Sequence, residues 1–247
     1  MIMKSTCRTS ICAFTLLIAA TTSHASELLL DWDTLTWQPE GQTNLSETYA
    51  IGSAQVVVTI GGNTGALDNI GTLSPRIDDS QTGGLTPAQR ALIISTDYAV
   101  GAVDRPVTIS FDFSSYAGGV SDLSFSLFDI DSSLSYVDEV MIVAVVNGSV
   151  VDPSALLAGP ANQVTGSNTV AGTDISPPTS GEGNVGVAFA YTGITQLLIT
   201  YSDGSFAGNA ALQSMGIHDI GYTVVPLPGG LLLFGSALIA LVRKRRQ

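Results

Sequence analysis

Four carboxylates lie close together near the middle of the chain, in a spacing typical of a site for a hard cation. Asp129 and Asp131 are two residues apart, so in a strand they would point to the same side. Asp138 and Glu139 follow a short polar break in the sequence. Calcium takes six to eight oxygen ligands from carboxylates, carbonyls and water. These four residues are therefore the candidate calcium ligands.

The apolar pattern changes phase next to these acids. Leu123, Phe125 and Leu127 place the apolar face on odd positions, whereas Phe128 and Ile130 shift it to even positions. A β-bulge at Leu127–Phe128 would restore the phase and turn the first two aspartates outward. Without a bulge both aspartates would face the core, where they would require a partner such as a cation.

Calcium is one of three states that the sequence allows for this acidic segment. A solvated acidic turn costs little, because water screens the charges. An arginine could instead pair with the carboxylates. Asp203 or Asp219 could add a ligand from another strand. A second acidic stretch, Arg76–Ser80, is expected to be an exposed loop.

The chain offers little other chemistry. Once a leader is removed, His218 is the only histidine, and we expect it to be a surface or hydrogen-bonded strand residue. The sequence has no Gly-x-Ser-x-Gly elbow, no His-Glu-x-x-His motif and no phosphate-binding loop of the P-loop type. Carboxylates are plentiful, but nothing selects the pair that a glycosidase needs. The sequence thus predicts a protein that is not an enzyme, with an enzyme acting on polysaccharide as an alternative.

Sugar binding would require exposed aromatic rings beside polar groups. Four aromatic residues near predicted strand ends are candidates, although aromatic residues in strands more often belong to the core. They are Trp32, Trp37, Tyr116 and Tyr136.

Strands are the elements expected to position these residues. Short runs rich in β-branched and aromatic residues alternate with Gly, Asn, Asp, Ser and Pro, and no long helical periodicity is present. The predicted strands are Leu28–Trp37, Tyr49–Ile60, Ala91–Tyr98, Pro106–Phe113, Leu123–Ile130, Glu139–Val146, Val185–Tyr191, Thr195–Ser202 and Met215–Val224. This spacing favours an all-β fold, specifically a two-sheet jelly-roll-like sandwich, with a barrel or solenoid as the alternative.

Some segments carry more specific expectations. Apolar and polar residues alternate from Val107 to Phe113, which predicts a half-buried strand, and Val140–Val146 is apolar on both faces, which predicts a central one. A short helix is predicted at Asp152–Leu157, because Asp152 can cap it and Pro153 fits its first turn. Gly166–Asn184 is predicted to be a long loop.

The charge distribution excludes whole classes of partner. All 21 acidic residues lie between Ser26 and Val225, together with only three basic ones, Arg76, Arg90 and Arg105. A nucleic-acid binder needs a basic surface against phosphate, so this class is excluded. Docking on anionic lipid is disfavoured for the same reason. Membrane contact is expected only through the C-terminal tail.

The N-terminus, residues 1–25, is predicted to be a signal peptide. A positive start precedes a short apolar run, and small residues end it, so signal peptidase is expected to cut between Ala25 and Ser26. Both cysteines, Cys7 and Cys12, would be lost with the leader, which leaves no disulfide and no thiolate metal site.

The C-terminal tail, residues 225–247, is the most specific signal in the chain. A proline motif precedes the uncharged stretch Gly229–Val242, and four cations follow at once. The stretch would form a membrane helix of about 21 Å, and the cations would hold its end in the cytoplasm. The motif is Val225, Pro226, Leu227 and Pro228, and the basic stop is Arg243, Lys244, Arg245 and Arg246.

This tail resembles the PEP-CTERM class of bacterial sorting signals, in the variant with a Val-Pro-Leu-Pro motif. The resemblance implies that an exosortase cuts near the motif and releases the protein, or transfers it to the cell surface, after export across the inner membrane. A plain C-terminal anchor is the alternative.

The intervening residues 26–224 are predicted to be one β-sandwich ectodomain. Leu123–Asp131, Ile194–Gly204 and Met215–Tyr222 resemble the sandwich ectodomains that precede such tails and that look like lectins or carbohydrate-binding modules. The resemblance implies a non-catalytic structural or adhesive protein of the cell surface or matrix, in contact with extracellular polysaccharide. A calcium-dependent carbohydrate-binding module is the alternative.

Overall fold

A computed structural model describes residues 25–69, 73–98, 106–204 and 212–225. These residues belong to a unit that extends from Ala25 to Pro226. Strands dominate this part of the chain; its only helical element is the 3₁₀ turn Thr64–Ala66. Within these ranges, no helix has the length and apolar character that crossing a membrane requires. The predicted all-β class is therefore confirmed.

The described residues form fifteen strands. They are β1 (Ser26–Leu30), β2 (Ser46–Ile51), β3 (Ala54–Gly62), β4 (Arg76–Asp78), β5 (Ala91–Thr96), β6 (Val107–Asp112), β7 (Val120–Phe128), β8 (Glu139–Val146), β9 (Ser149–Val151), β10 (Ala155–Ala158), β11 (Asn162–Val164), β12 (Thr169–Gly172), β13 (Val185–Ser202), β14 (Gln213–Ile217) and β15 (Ile220–Val224). All pairings are antiparallel, and they link the strands into one curled sheet.

The long strand β13 connects the two halves of this sheet. Its first half, from Val185 to Ile194, pairs with β7, and Val185–Ala188 also pairs with β10. Its second half pairs with β6 on one side and β8 on the other. A register shift against β7 separates the two halves. One strand therefore carries the chain from one set of partners to the other.

The core follows the predicted alternation. In β6 the side chains of Val107, Ile109 and Phe111 are fully buried, while the polar residues between them are partly exposed. Ile109 lies opposite Ile199 of β13 and Ile60 of β3 in the sheet. These rows belong to one apolar cluster that also takes in side chains from β7, β8, β14 and β15. Because burial of apolar area drives folding, this cluster is the main source of stability.

The pair β1–β15 brings the two ends of the described unit together. Ser26 lies opposite Val224, and Leu30 lies opposite Ile220. On its other edge β15 pairs with β7, so this terminal pair is an integral part of the sheet.

Several predicted strands have different limits in the structure. The run Tyr49–Ile60 is a hairpin, because Gly52 adopts a left-handed φ of 63° in the turn between β2 and β3. The run Met215–Val224 is likewise two strands, β14 and β15. Conversely, Val185–Tyr191 and Thr195–Ser202 belong to the single strand β13. Glu139–Val146 has its predicted limits and pairs on both edges, with β13 on one side and with β12 and β9 on the other.

The helix predicted at Asp152–Leu157 is wrong. Ala155–Ala158 is instead strand β10, paired with Val185–Ala188 of β13. Gly166–Asn184 is not wholly a loop either, because it contains β12. In both places the chain forms a strand because it pairs with the edge of a longer neighbouring strand, β13 for β10 and β8 for β12. This pairing overrides the local sequence propensity.

The predicted terminal segments lie largely outside the described residues. This holds for the signal peptide before Ala25 and for Pro226, Leu227 and Pro228 of the sorting motif. It also holds for the apolar stretch and for the basic stop, Arg243, Lys244, Arg245 and Arg246.

Candidate functional site

The acidic segment begins where β7 ends. Leu127 faces the main core, and the next residue, Phe128, faces the opposite side, where it packs with Ala91 and Ile93. The pairing is regular here, since Leu127 lies opposite Ile217 and Phe128 opposite Gly216. Of the two alternatives that the sequence left open here, the bulge at Leu127–Phe128 is therefore excluded.

A left-handed residue breaks the strand in place of a bulge. Asp129 has a φ of 63°, a conformation that aspartate and asparagine tolerate better than most residues. The chain turns there, and Ile130 becomes fully buried on the far side of the break. The phase change in the sequence thus marks the end of β7.

Asp131 and Asp138 are buried, with 2% and 0% of their surfaces exposed. The Asp131 carboxylate accepts hydrogen bonds from the hydroxyl of Tyr136 at 2.8 Å and the backbone N–H of Ser176 at 2.7 Å. Asp138 accepts from the hydroxyl of Tyr201 at 2.6 Å and the backbone N–H of Asp131 at 3.1 Å. A solvated turn does not describe these two residues.

The close packing of this corner depends on Gly172 of β12. A Cβ atom at that position would lie 1.8 Å from the carbonyl oxygen of Asp131, so no other residue fits without movement of the backbone. The Gly172 N–H donates to the carbonyl oxygen of Asp138 at 2.8 Å. We refer to Asp129, Asp131 and Asp138 together as the acidic cluster.

Asp129 differs from the other two members of the acidic cluster. Its Oδ2 accepts a hydrogen bond of 3.0 Å from Nε2 of Gln81, but its Oδ1 is buried without a partner. Burial, followed by the nearby charge of Asp131, raises the pKa of Asp129 to about 7. This carboxyl group is therefore part-protonated at neutral pH unless something positive lies beside it.

Burial also raises the pKa of Asp131, and it raises the pKa of Asp138 well above its usual range. Hydrogen bonds from Ser176 and Tyr136 oppose the effect at Asp131, and the bond from Tyr201 opposes it at Asp138. The described residues place no arginine or lysine against the acidic cluster. In this part of the chain, hydrogen bonds are therefore the only interactions that stabilise the charged forms of these three carboxyls.

Among the described hydrogen bonds, none joins the other predicted ligands to the acidic cluster. Glu139 is partly exposed at the start of β8, opposite Ser202 of β13. Asp203 is buried and one of its oxygens lacks a partner, while Asp219 accepts a 2.8 Å hydrogen bond from the backbone of Trp32. Burial raises the pKa of both groups.

The described residues include no group of three or more His, Cys, Asp or Glu side chains that could hold a metal ion. The four predicted ligands Asp129, Asp131, Asp138 and Glu139 are thus neighbours in sequence without forming such a group. Calcium binding stays a prediction.

Three of the four aromatic candidates for sugar binding are core residues. Trp32, Trp37 and Tyr116 are almost completely buried, and the edge of one ring meets the face of another where Trp32 packs on Tyr49. Burial excludes these three as sugar contacts, and the core interpretation that the sequence favoured holds for them. Of the four candidates, Tyr136 alone is partly exposed, and its hydroxyl donates a hydrogen bond to Asp131.

Arg76–Ser80 is only partly the exposed acidic loop that the sequence suggested, because Asp79 and Ser80 are exposed but Arg76–Asp78 is strand β4. Arg76 is buried in β4 and donates to the carboxylate of Asp78, which makes an ion pair. The guanidinium also donates to the hydroxyls of Ser80 at 3.1 Å and Ser95 at 3.2 Å. Burial pushes the pKa of Asp78 up, but hydrogen bonds from Ser80 and Arg76 and the charge of Arg76 outweigh it and leave the pKa lowered.

His218 fits its expected role as a hydrogen-bonded residue. It lies between β14 and β15, where Nε2 is 2.6 Å from Oε1 of Gln89. Its ring packs against Phe128, with 4.9 Å between ring centroids, and Asp219 lies 3.9 Å away.

An open groove of about 520 Å³ lies next to Asp131 in sequence and was not predicted. Ser132–Ser135 line one part of it and Thr173–Ile175 the other. The side chain of Leu134 is fully exposed at its rim. The serine-rich run around an isolated leucine is the sequence signal that could have indicated this surface.

We compared the chain with known protein families, curated proteins and solved structures, and no match was found in any of the three.

Proposed function

We propose that the protein is exported across the inner membrane of a bacterium, cut at both ends, and retained at the cell surface or in the extracellular matrix. Its role there is structural or adhesive and not catalytic. Signal peptidase removes residues 1–25, and an exosortase reads the motif Val225–Pro228 after the tail has held the protein transiently in the membrane.

The observation that carries this proposal is the pairing of β1 with β15. The proposed signal-peptide cut falls immediately before Ser26, and Ser26 lies opposite Val224, the last residue before the sorting motif. The closing strand pair lies wholly within residues 26–224, and the motif's Val225 adds one backbone hydrogen bond, to the carbonyl oxygen of Gly119 at 3.4 Å. Cutting at both ends would leave the closing strand pair complete.

The architecture that we propose for residues 26–224 is a two-sheet sandwich of jelly-roll type. The two halves of β13 supply the argument, because each half has its own pair of neighbours and their apolar side chains share one core. Sandwiches of this kind are common in surface and carbohydrate-binding domains, which is an analogy of fold and not of activity.

Charge supports an extracellular polymer as the partner. The ectodomain has no lysine, and its three arginines face 21 acidic residues. Two of these arginines, Arg76 and Arg90, donate hydrogen bonds within the protein. Such a surface repels acidic polysaccharide unless divalent cations bridge the two, so adhesion would depend on those cations.

Mass spectrometry of the mature protein tests the processing claim. Protein collected from the cell surface should begin at Ser26 and should lack Gly229–Gln247, whereas a strain without the exosortase should accumulate a form that keeps the tail. Intact tail residues in the surface pool of the wild-type strain would contradict the proposal.

A matched pair of variants assigns the cut to the motif. Changing Pro226 and Pro228 to alanine should block removal of the tail. Changing the adjacent pair Pro177 and Pro178, which lies in a described loop far from the motif in sequence, should leave removal unchanged. Equal processing of both variants would show that the proline motif is not read.

A second candidate function is a calcium-dependent carbohydrate-binding module, and the groove beside the acidic cluster favours it. Its volume of about 520 Å³ is in the range of small-ligand sites, and serine and threonine residues line it beside the apolar rim of Leu134. Such a surface can combine hydrogen bonds with one apolar contact to a sugar ring.

Retention on a glycan array, with calcium and with a chelator, tests this candidate. We expect Leu134→Ala and Asp174→Asn to lower retention at least several-fold, and Leu157→Ala, an exposed leucine on β10, to leave it unchanged. Retention that is the same in chelator, or equal in all three variants, would exclude the groove as a calcium-dependent sugar site.

A further inference from the structure

Three buried oxygen atoms at one corner of the fold lack a hydrogen-bond donor. They are Oε1 of Gln81, Oδ1 of Asp129 and Oδ1 of Asn184. Each is an acceptor, and each is shielded from solvent. A buried polar atom without a partner is costly and rare in native proteins, so three on neighbouring side chains require an explanation.

Gln81 is hydrogen-bonded to Asp129, and Asn184 lies close to the segments that carry both residues. The amide of Gln81, a residue that is only 2% exposed, donates to Asp129 at 3.0 Å. Asn184 donates to the carbonyl oxygen of Gly83, two residues from Gln81, at 2.9 Å. A Cβ atom on Gly183 would lie 3.2 Å from Cα of Asp129, which places Asn184 one residue from that contact.

The orientation of both amides is fixed by their nitrogen atoms. Nε2 of Gln81 donates to Asp129 and also to Oγ of Ser214 at 2.5 Å, while Nδ2 of Asn184 donates to Gly83. Exchanging oxygen and nitrogen by an amide flip would lose the bonds to the Asp129 carboxylate and the Gly83 carbonyl, neither of which can donate. The oxygens are therefore true acceptors at their observed positions.

A positive ion satisfies such a set better than a water molecule does. Water can donate only two hydrogen bonds, whereas a hard cation accepts several oxygen ligands at once, including carboxylate and amide carbonyl oxygens. The ion would also offset the charge of the acidic cluster, which has no arginine or lysine against it in the described residues.

We propose that Asp129, Gln81 and Asn184 bind a hard divalent cation, calcium in an exported protein. The ion fastens three segments: the turn after β7, the loop that contains Gly83 and the loop that precedes β13. This assignment differs from the four-carboxylate set suggested by sequence spacing. In that set, all the carboxylate oxygens of Asp131 and Asp138 already accept hydrogen bonds, so they have no orphaned oxygen to offer.

Thermal melting of the full chain tests the site with calcium chloride as the probe. Protein stripped with a chelator is melted across a calcium series, with potassium chloride at matched ionic strength as the control. An ion that binds only the folded state must raise the melting temperature in a concentration-dependent way. We expect a saturable rise with calcium that potassium does not reproduce.

Two isosteric variants locate the ion. Asp129→Asn keeps the shape and tolerates the left-handed backbone, and we expect it to weaken calcium binding at least about tenfold. Glu139→Gln removes an equivalent charge outside the proposed set and should leave the affinity within about twofold. Because both changes are isosteric, isothermal titration can be performed on folded protein.

The outcomes separate this inference from the proposed function. A melting temperature that does not respond to calcium overturns the site, and so does binding that Glu139→Gln abolishes and Asp129→Asn leaves intact. Removal of the two terminal segments in the cell is read by mass spectrometry and does not depend on the ion, so either claim can fail alone.

Discussion

Two regions of the domain bury charged side chains in opposite ways. At the edge strand β4, Arg76 reaches the carboxylate of Asp78, two serine hydroxyls and a backbone carbonyl. In the acidic cluster, three carboxyl groups share donors from hydroxyl, amide and backbone groups, and no described arginine or lysine contacts them. The pKa of Asp78 is lowered, whereas the pKa of all three clustered groups is raised.

The comparison teaches that burial alone does not decide the state of a carboxyl group. Asp78 and Asp131 are both desolvated, but a guanidinium lies beside only one of them. In the first region, the charge of Asp78 is compensated by the guanidinium of Arg76. In the second region no positive group compensates the charged forms, and Oδ1 of Asp129 has no donor, which makes the region a candidate for binding.

The largest expected effect comes from truncation inside the acidic cluster. Asp138→Ala removes the acceptor for the hydroxyl of Tyr201 and for the backbone N–H of Asp131, both of them buried. Each stranded donor costs about 1–3 kcal/mol, so we expect the free energy of unfolding to fall by about 4 kcal/mol. Urea denaturation measures this loss.

Asp138→Asn is the control for that experiment. It keeps one acceptor and the shape of the side chain while removing the charge, so its cost should be clearly smaller than that of the alanine variant. Equal losses in the two variants would mean that the carboxylate charge, and not hydrogen-bond satisfaction, stabilises this corner.

Arg76→Met should have the next largest effect. It leaves the carboxylate of Asp78 and the hydroxyl of Ser95 without their donor, and we expect a loss of about 2–3 kcal/mol, reduced from the value for a fully buried pair because Asp78 is partly exposed. Arg76→Lys keeps the charge but not the planar fork, so it should recover part of the loss. No destabilisation in the methionine variant would show that this pair is not a source of stability.

Sequence reasoning predicted the elements that obey a simple period. The alternation from Val107 to Phe113 and the apolar run Glu139–Val146 became β6 and β8, because buried central strands are dictated by their side chains. The short strands β9, β10 and β11 were missed. Most of their residues are exposed, so no apolar period marks them, and β10 also pairs with the distant strand β13, although β9 and β11 pair with their neighbours β8 and β12.

The site was predicted only in its acidic residues. The spacing of Asp129, Asp131 and Asp138 indicated a charged cluster, but Gln81 and Asn184 come from loops 48 and more residues away and carry no local pattern. For Trp32 the sequence left open both core burial, which the structure shows, and sugar contact. No period distinguishes an aromatic residue at an exposed strand end from one beneath a loop.

The effect of pH on stability should be smaller than the losses expected for Asp138→Ala and Arg76→Met. It should also have opposite signs in the two regions. The folded-state pKa of Asp129, about 7, lies above its unfolded value, so the folded protein binds the proton more tightly. In calcium-free buffer the free energy of unfolding should therefore rise by about 1.4 kcal/mol as the pH falls from 8 to 6. The lowered pKa of Asp78 gives a contribution that is present above about pH 4 and is lost below it.

Asp129→Asn should flatten this gradient between pH 8 and pH 6, whereas Asp78→Asn should leave it in place. Urea midpoints measured at half-unit intervals provide the comparison. A gradient that survives unchanged in Asp129→Asn would assign it to another group.

The smallest expected effect is at the rim of the acidic cluster. Tyr136→Phe removes one hydrogen bond to Asp131 from a partly exposed hydroxyl, so the loss should be about 1 kcal/mol. Tyr191→Phe, whose hydroxyl has no hydrogen bond assigned among the described contacts, is a suitable reference with an expected change near zero. A larger loss of unfolding free energy in Tyr136→Phe than in Asp138→Ala would contradict the comparison, in which the more deeply buried group contributes more.

Carboxyl-carbon NMR titration of the calcium-free protein tests the contrast between the two regions most directly. The account predicts that the Asp129 carboxyl titrates with a midpoint near 7 and that the Asp78 carboxyl titrates below the usual range for aspartate. If Asp129 instead titrates together with the exposed acids near pH 4, the acidic cluster holds no uncompensated charge, and the account is contradicted.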